Sequence, residues 1–264
     1  MTAAIIIANG HSSRLPKKNL LPFCGKPLFV WSVIQAKCSH LIDEVYVSTD
    51  HDEIERLAKK AGAHVIRRPT LHHDITAGPI YCHAIHEVRK QIEFDRMVAI
   101  LPTSPLKHPY DLDESIRLYE RIPGEWKRVV SLTPVAETFV YKKTGPRTFE
   151  PSVIGDKGWE YLTQGGAWNV MPPEVYLRVS SRATLYDSEV DYGAEGAAKR
   201  AKQDANEPVY YYALQEYQQF DIDSWNDFQI CEAIMERLIL TSPDVYERYA
   251  EDNLLDNCLG GAEE

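Results

Sequence analysis

The stretch Ala3-Ala4-Ile5-Ile6-Ile7-Ala8-Asn9-Gly10-His11-Ser12-Ser13-Arg14 decides how the rest of the chain is read. Its first six residues are apolar without alternation, which predicts a short strand buried on both faces, as in the inner strands of a parallel sheet. Asn9 to Arg14 then reads as the loop leaving that strand. In open α/β sheets, ligands bind outside such carboxyl ends. Gly10 lets the backbone approach an anion closely, Ser12 and Ser13 offer hydroxyls, and Arg14, Lys17 and Lys18 add positive charge.

The distribution of charge points to the same place. Residues 1–42 carry Arg14, Lys17, Lys18, Lys26 and Lys37 and no carboxylate, in a chain whose formal net charge is -10. This asymmetry predicts a polyanion site at the N-terminal loop, suited to a di- or triphosphate. Neither common phosphate loop is present: Gly25-Lys26 is followed by Pro27 and lacks the glycine five positions before Gly25, and no G-x-G-x-x-G follows a strand. This argues against a P-loop kinase and a simple dinucleotide binder.

With 264 residues, 44% hydrophobic and 26% charged, the composition is that of a globular chain forming one large α/β domain, with or without a subdomain. No apolar run approaches the roughly 20 residues of a membrane helix, and no leader pattern opens the chain, so the expectation is a cytoplasmic protein with no membrane partner. An acidic chain without a basic stripe beyond the N-terminal cluster is a poor binder of nucleic acid. The five cysteines lack a C-x-x-C pair, which argues against a disulfide framework or a cysteine zinc site. All nine histidines lie between residues 11 and 108, but no acidic or cysteine ligands sit at matching spacing for a histidine metal site.

Short β-rich runs recur at 45–48, 64–66, 97–101 and 129–132, separated by segments with helical spacing, and this alternation predicts right-handed βαβ units with a mostly parallel sheet sandwiched by helices. Pro27 opens a helix burying Leu28, Trp31 and Ile34. Asp50 or Asp52 caps another, with Ile54, Leu57 and Ala58 inside and Gly62 at its end. Further helices are predicted over about 79–90, 111–121 and 224–240, the last burying Phe228, Cys231, Ile234 and Leu238. The rhythm breaks after Val135, so 136–206 reads as an insertion subdomain. The strand Val209–Leu214 restores the rhythm, and 251–264 is an acidic tail after a domain spanning 1–250.

Four segments in this order, Ala8–Asn19 with its R-L-P-K-K-N core, Val47-Ser48-Thr49-Asp50, Leu101-Pro102-Thr103-Ser104-Pro105-Leu106 and Asp221-Ile222-Asp223, resemble the acylneuraminate cytidylyltransferases, the CMP-sialic acid synthetases. The resemblance implies a Rossmann-like fold of the nucleotide-diphospho-sugar transferase type, with 136–206 serving dimerisation. It also implies CMP transfer from CTP to the hydroxyl of a nonulosonic sugar acid, Mg²⁺ as cofactor, and a homodimer. Arg14, Lys18, Asp221 and Asp223 would be catalytic, the two aspartates also holding the metal. Ala8, Asn9, Gly10, His11, Ser12, Asn19, Arg68, Asp74, Pro102 and Thr103 would surround the nucleotide, and Ser104, Gln164, Trp168 and Asn169 the acceptor. Because Asp221 and Asp223 alternate along an extended segment, either can be the direct metal ligand.

Three positions depart from the family pattern: Asn9 stands where Arg is usual, Ser13 where Lys is common, and Leu101 where Gln often precedes P-T-S-P. They keep open another triphosphate, another acceptor such as a 3-deoxy-octulosonate or a phosphonate, and a catalytically silent nucleotide-binding regulator.

Overall fold

The computed structural model describes residues 1–70, 77–124, 127–135, 138–143, 149–154, 161–180 and 209–241. Its first strand, β1 (Thr2–Ala8), is buried along its whole length. Ala4, Ile6 and Ala8 enter one apolar cluster while Ala3, Ile5 and Ile7 enter the other, so the run of apolar residues feeds two cores at once. A two-stranded hairpin, β2 (Pro22–Phe23) and β3 (Lys26–Pro27), leads into α1 (Leu28–Lys37). Then follow β4 (Glu44–Thr49), α2 (Asp52–Lys60), β5 (His64–Arg67), α3 (Ala77–Arg89), β6 (Arg96–Ile100) and α4 (Pro109–Arg121).

The second half holds β7 (Arg128–Val135), β8 (Thr138–Lys143), β9 (Phe149–Ile154), β10 (Tyr161–Met171), α5 (Glu174–Ser180), β11 (Val209–Ala213) and α6 (Trp225–Ile234). Seven strands form one sheet in the order β11-β7-β10-β6-β1-β4-β5. The pairs β6–β1, β1–β4, β4–β5 and β11–β7 are parallel, whereas β10 runs antiparallel to both neighbours. The fold is thus the helix-flanked, mostly parallel sheet expected. Within 136–206, β8 and β9 pair only with each other, but β10 runs through the middle of the main sheet. That stretch therefore contributes to the central core as well as to a separate hairpin.

One face of the sheet carries α1, α2, α4 and α6 and the other carries α3 with Tyr176 and Leu177 of α5. Among the described cysteines, Cys38, Cys82 and Cys231 are buried and Cys24 is half-buried. No helix among the described residues is long and apolar enough to cross a membrane.

Two local expectations change. The cap of α2 is His51, whose ring nitrogen accepts the Glu53 amide at 3.2 Å, because the Asp50 carboxylate is turned to the first loop instead. Ser224 caps α6 in a reciprocal pair with Asp227, but the helix widens into a π-turn over Met235–Ile239, closed by Leu240 N–H donating to Met235 O at 2.9 Å. The extra residue per turn moves the inner face from 238 to 239. Met235 and Ile239 are fully buried, Ile234 is only half-buried, and Leu238 is 49% exposed.

This register predicts that Ile239→Ala costs about 2–5 kcal/mol of stability while Leu238→Ala stays within about 0.5 kcal/mol. Urea unfolding of the two variants checks it, and the reverse ranking would mean that a regular α-helix continues through 240.

Candidate active site

Parallel strands β1, β4 and β6 end at one edge of the sheet, and the loops that leave them surround an open cleft of about 270 Å³. Asn9, His11, Ser12, Ser13, Arg14, Lys18 and Asn19 line one side, Asp50 and Arg68 the floor, and Leu101, Pro102 and Thr103 the far side. Ile7, Ala77 and Ile80 supply its apolar wall. The first loop and the P-T-S-P turn thus meet in one cleft. Lys17, in a left-handed turn, is exposed and points away from it.

The first loop is fastened from beneath. Gly10 N–H donates to Asp50 Oδ1 at 2.8 Å, so the amide expected to meet phosphate is already engaged by a carboxylate. Glycine is required here for space, since a Cβ would lie 2.5 Å from His51 Cδ2. Asn19 Nδ2 donates to the Asn9 carbonyl at 2.9 Å, closing the loop. Arg68 is buried, donates to Asn9 Oδ1, and has Asp50 at 3.7 Å. Burial pulls its pKa below the usual arginine range, with Asp50 opposing that pull. Its Nε is buried without a protein partner, leaving a donor at the cleft floor.

Arg14 and Lys18 both turn to Asp223. The Arg14 guanidinium donates to Asp223 Oδ2, and Lys18 Nζ lies 3.1 Å from Oδ1 while also donating to the Ile222 carbonyl. Exposure separates the two cations: the Arg14 side chain is 68% exposed and that of Lys18 only 8%. An exposed pair contributes little, whereas a buried ammonium depends on its acceptors. Lys18 is therefore the anchor and Arg14 the mobile cation.

Asp221 faces the other way. Its Oδ1 accepts the Ser104 hydroxyl at 3.1 Å, and Ile222 N–H donates to the Thr103 carbonyl at 2.8 Å. The alternation along 221–223 sends Asp223 to the first loop and Asp221 to the P-T-S-P turn. Behind that turn, Lys107 is fully buried and donates from Nζ to Ser104 O at 2.6 Å and to Ser32 Oγ at 3.3 Å. Burial lowers its pKa to about 7, with Asp221 and Asp111 opposing.

Two acceptor expectations fail. Trp168 is buried in β10 beside Ile100 and donates through its indole to Ser115 Oγ at 3.1 Å, so it packs α4 onto the sheet and does not line this cleft. Asn169 projects to the opposite face, where its side chain hydrogen-bonds the Tyr176 phenol. Ala8 is fully buried in the core and is not among the residues lining the cleft. Gln164 sits in β10 opposite Leu132, its side chain outside the described residues, as is the whole of Asp74. Asp50, His51 and Lys107 went unselected. Asp50 had a signal, an acidic residue just beyond a predicted strand; the other two show only in three dimensions.

A cytidylyltransferase family model matches residues 3–136. The N-acylneuraminate cytidylyltransferase B of Danio rerio is 41% identical over 117 residues, which are 44% of this chain and 27% of that protein. The pseudaminic acid cytidylyltransferase of Campylobacter jejuni subsp. jejuni serotype O:2 is 36% identical over 106 residues, 39% of this chain and 46% of that protein. The chain thus matches less than half the length of either relative. In fold it is similar to a CMP:2-keto-3-deoxy-manno-octonic acid synthetase solved with CTP, at a TM-score of 0.67 and 18% identity over 89% of this chain and 98% of that one. With residues 3–136, half of its length, matched by the family model, the chain belongs to the cytidylyltransferase family.

Proposed function

We propose that the chain transfers the cytidylyl group of CTP to a hydroxyl of a nonulosonic-type sugar acid and releases pyrophosphate. The observation that carries this reading is the convergence of Arg14 and Lys18 on Asp223 at the mouth of a cleft built on three strand ends. The matched relatives act, by their names, on N-acylneuraminate and pseudaminic acid, which supports a sugar acid as acceptor.

In this reading the triphosphate lies along Ser12, Ser13, Arg14 and Lys18, whose hydroxyls and cations balance its charge as the α-phosphorus is attacked and the bond to the β-phosphate oxygen breaks. The base lies toward Arg68, whose guanidinium is held in one orientation by Asn9 and Asp50. Thr103 and Ser104 border the acceptor. Much of the catalysis is positioning, which the pinned loops serve.

Two carboxylates beside phosphate-binding cations are the hard oxygen donors that Mg²⁺ takes together with substrate phosphates, so the residues present fit that ion. Asp223, which faces the first loop, would hold it directly, and Asp221 would act from the Ser104 side. When bound, Mg²⁺ would neutralise charge on the transferring and leaving phosphates.

The direct test incubates purified protein with Mg²⁺, each nucleoside triphosphate and a panel of N-acetylneuraminic acid, pseudaminic acid, 3-deoxy-manno-octulosonate and phosphonates, reading acceptor-dependent pyrophosphate. Release with CTP and a sugar acid is expected. CTP binding without release for any pair would favour a silent nucleotide-binding protein.

Asp223→Asn should lower turnover by about 100-fold or more yet leave CTP binding in EDTA at least as tight, because Arg14 and Lys18 lose a competing anion. Isothermal titration checks this, and weaker metal-free binding would remove Asp223 from competition with the triphosphate. Gly10→Ala, forcing a methyl into His51, should weaken CTP binding about tenfold, from the roughly 1–3 kcal/mol of overpacking; binding unchanged in the same titration would show that the loop relaxes freely.

A further inference from the structure

We infer that Lys107, outside the cleft, is a positioning residue that sets the Thr103-Ser104 turn and Asp221 for the transfer step; this rests on the function proposed above. Its ammonium is fully buried yet touches no residue of the first loop. It folds back three residues along its own segment to the Ser104 carbonyl at 2.6 Å, with Ser32 Oγ of α1 at 3.3 Å. A buried ammonium is expensive and is held only by good acceptors. The Ser104 carbonyl is thereby fixed in direction, and with it the side of the turn on which the Ser104 hydroxyl emerges.

That hydroxyl donates to Asp221 Oδ1 at 3.1 Å, so the chain of contacts runs from Lys107 through Ser104 to a carboxylate of the site. Neighbouring contacts keep the two segments in register: Ile222 N–H on the Thr103 carbonyl at 2.8 Å, and Gln218 Nε2 on the Leu106 carbonyl at 2.9 Å and on Asp111 Oδ2 at 2.7 Å. None of these bonds can turn Ser104 over by itself. Lys107 is the donor to the Ser104 carbonyl itself.

The triphosphate side of the cleft is built from residues 9–19, Asp50 and Arg68, which Lys107 does not contact. Its removal should therefore separate nucleotide binding from turnover. Lys107→Met keeps the length of the side chain and removes the charge and donors. It is expected to bind CTP with Mg²⁺ within about threefold of wild type by titration calorimetry while losing at least about tenfold in kcat for the sugar acid that supports turnover, about 1.4 kcal/mol. Ser104→Ala should lose kcat similarly, and the double variant should be no worse than the weaker single one, since both break one chain of contacts.

Should Lys107→Met fail to fold, Lys107→Gln keeps one donor for the Ser104 carbonyl and should show the same split at smaller amplitude. A kcat within twofold of wild type in the folded variant, CTP affinity falling in step with kcat, or additive losses in the double variant would each overturn the role of Lys107 alone. Wild-type protein that transfers no cytidylyl group would overturn the underlying reading and this inference together.

Discussion

A lysine ammonium taken out of water must find acceptors, and at Lys18 they come from the far end of the chain. Lys18 Nζ reaches the Ile222 carbonyl and Asp223 Oδ1, more than two hundred positions away in sequence. That contact closes the first loop over the carboxyl end of β1 and brings the 221–223 segment to the cleft. Without it the loop would carry a buried positive charge with nothing opposite, which costs several kcal/mol. The burial of β1 between β4 and β6 places the loop, and Lys18 determines what the loop faces.

Charge balance would let this cleft, in the proposed function, exchange one anion for another. The chain carries a net charge of -10, yet its first 42 residues hold only cations. Asp223 pairs with both Arg14 and Lys18. In the proposed function a triphosphate would offer the same cations more acceptors, and the exposed Arg14 could turn to them with little loss because its pair with Asp223 is solvated. Lys18 keeps its backbone acceptor, so the loop need not open for the anion to exchange.

Ile5, Ile6 and Ile7 made the central strand legible, because only a strand covered on both faces tolerates an unbroken apolar run. The cations of the first loop and the two aspartates were legible from their types and their order. Gly10 was legible as a loop glycine, but its contacts were not: its amide meets Asp50, 40 positions away, and its missing side chain makes room for His51 beside it. Trp168 and Asn169 were assigned to the acceptor from a motif, whereas the register of β10 against β6 turns one into the core and the other to the opposite face. The π-turn at 235–239 overrode a helical period that predicted Leu238 inside.

The segment matched to the family ends at residue 136, yet both aspartates and the strand β10 lie beyond it. That segment is not complete in its own electrostatics. Lys18 takes its acceptors from 222 and 223, Gln218 bonds Leu106 and Asp111, and Tyr212 donates to Asp111 at 3.0 Å. Burial holds Asp111 above the usual carboxylate range despite hydrogen bonds from His108, Gln218 and Tyr212, so its partners on the second half have little freedom to change chemistry. The distal half can therefore vary where it meets solvent and the acceptor, but must return the same donors and acceptors at 212, 218 and 221–223. Those contacts join the two halves around one cleft.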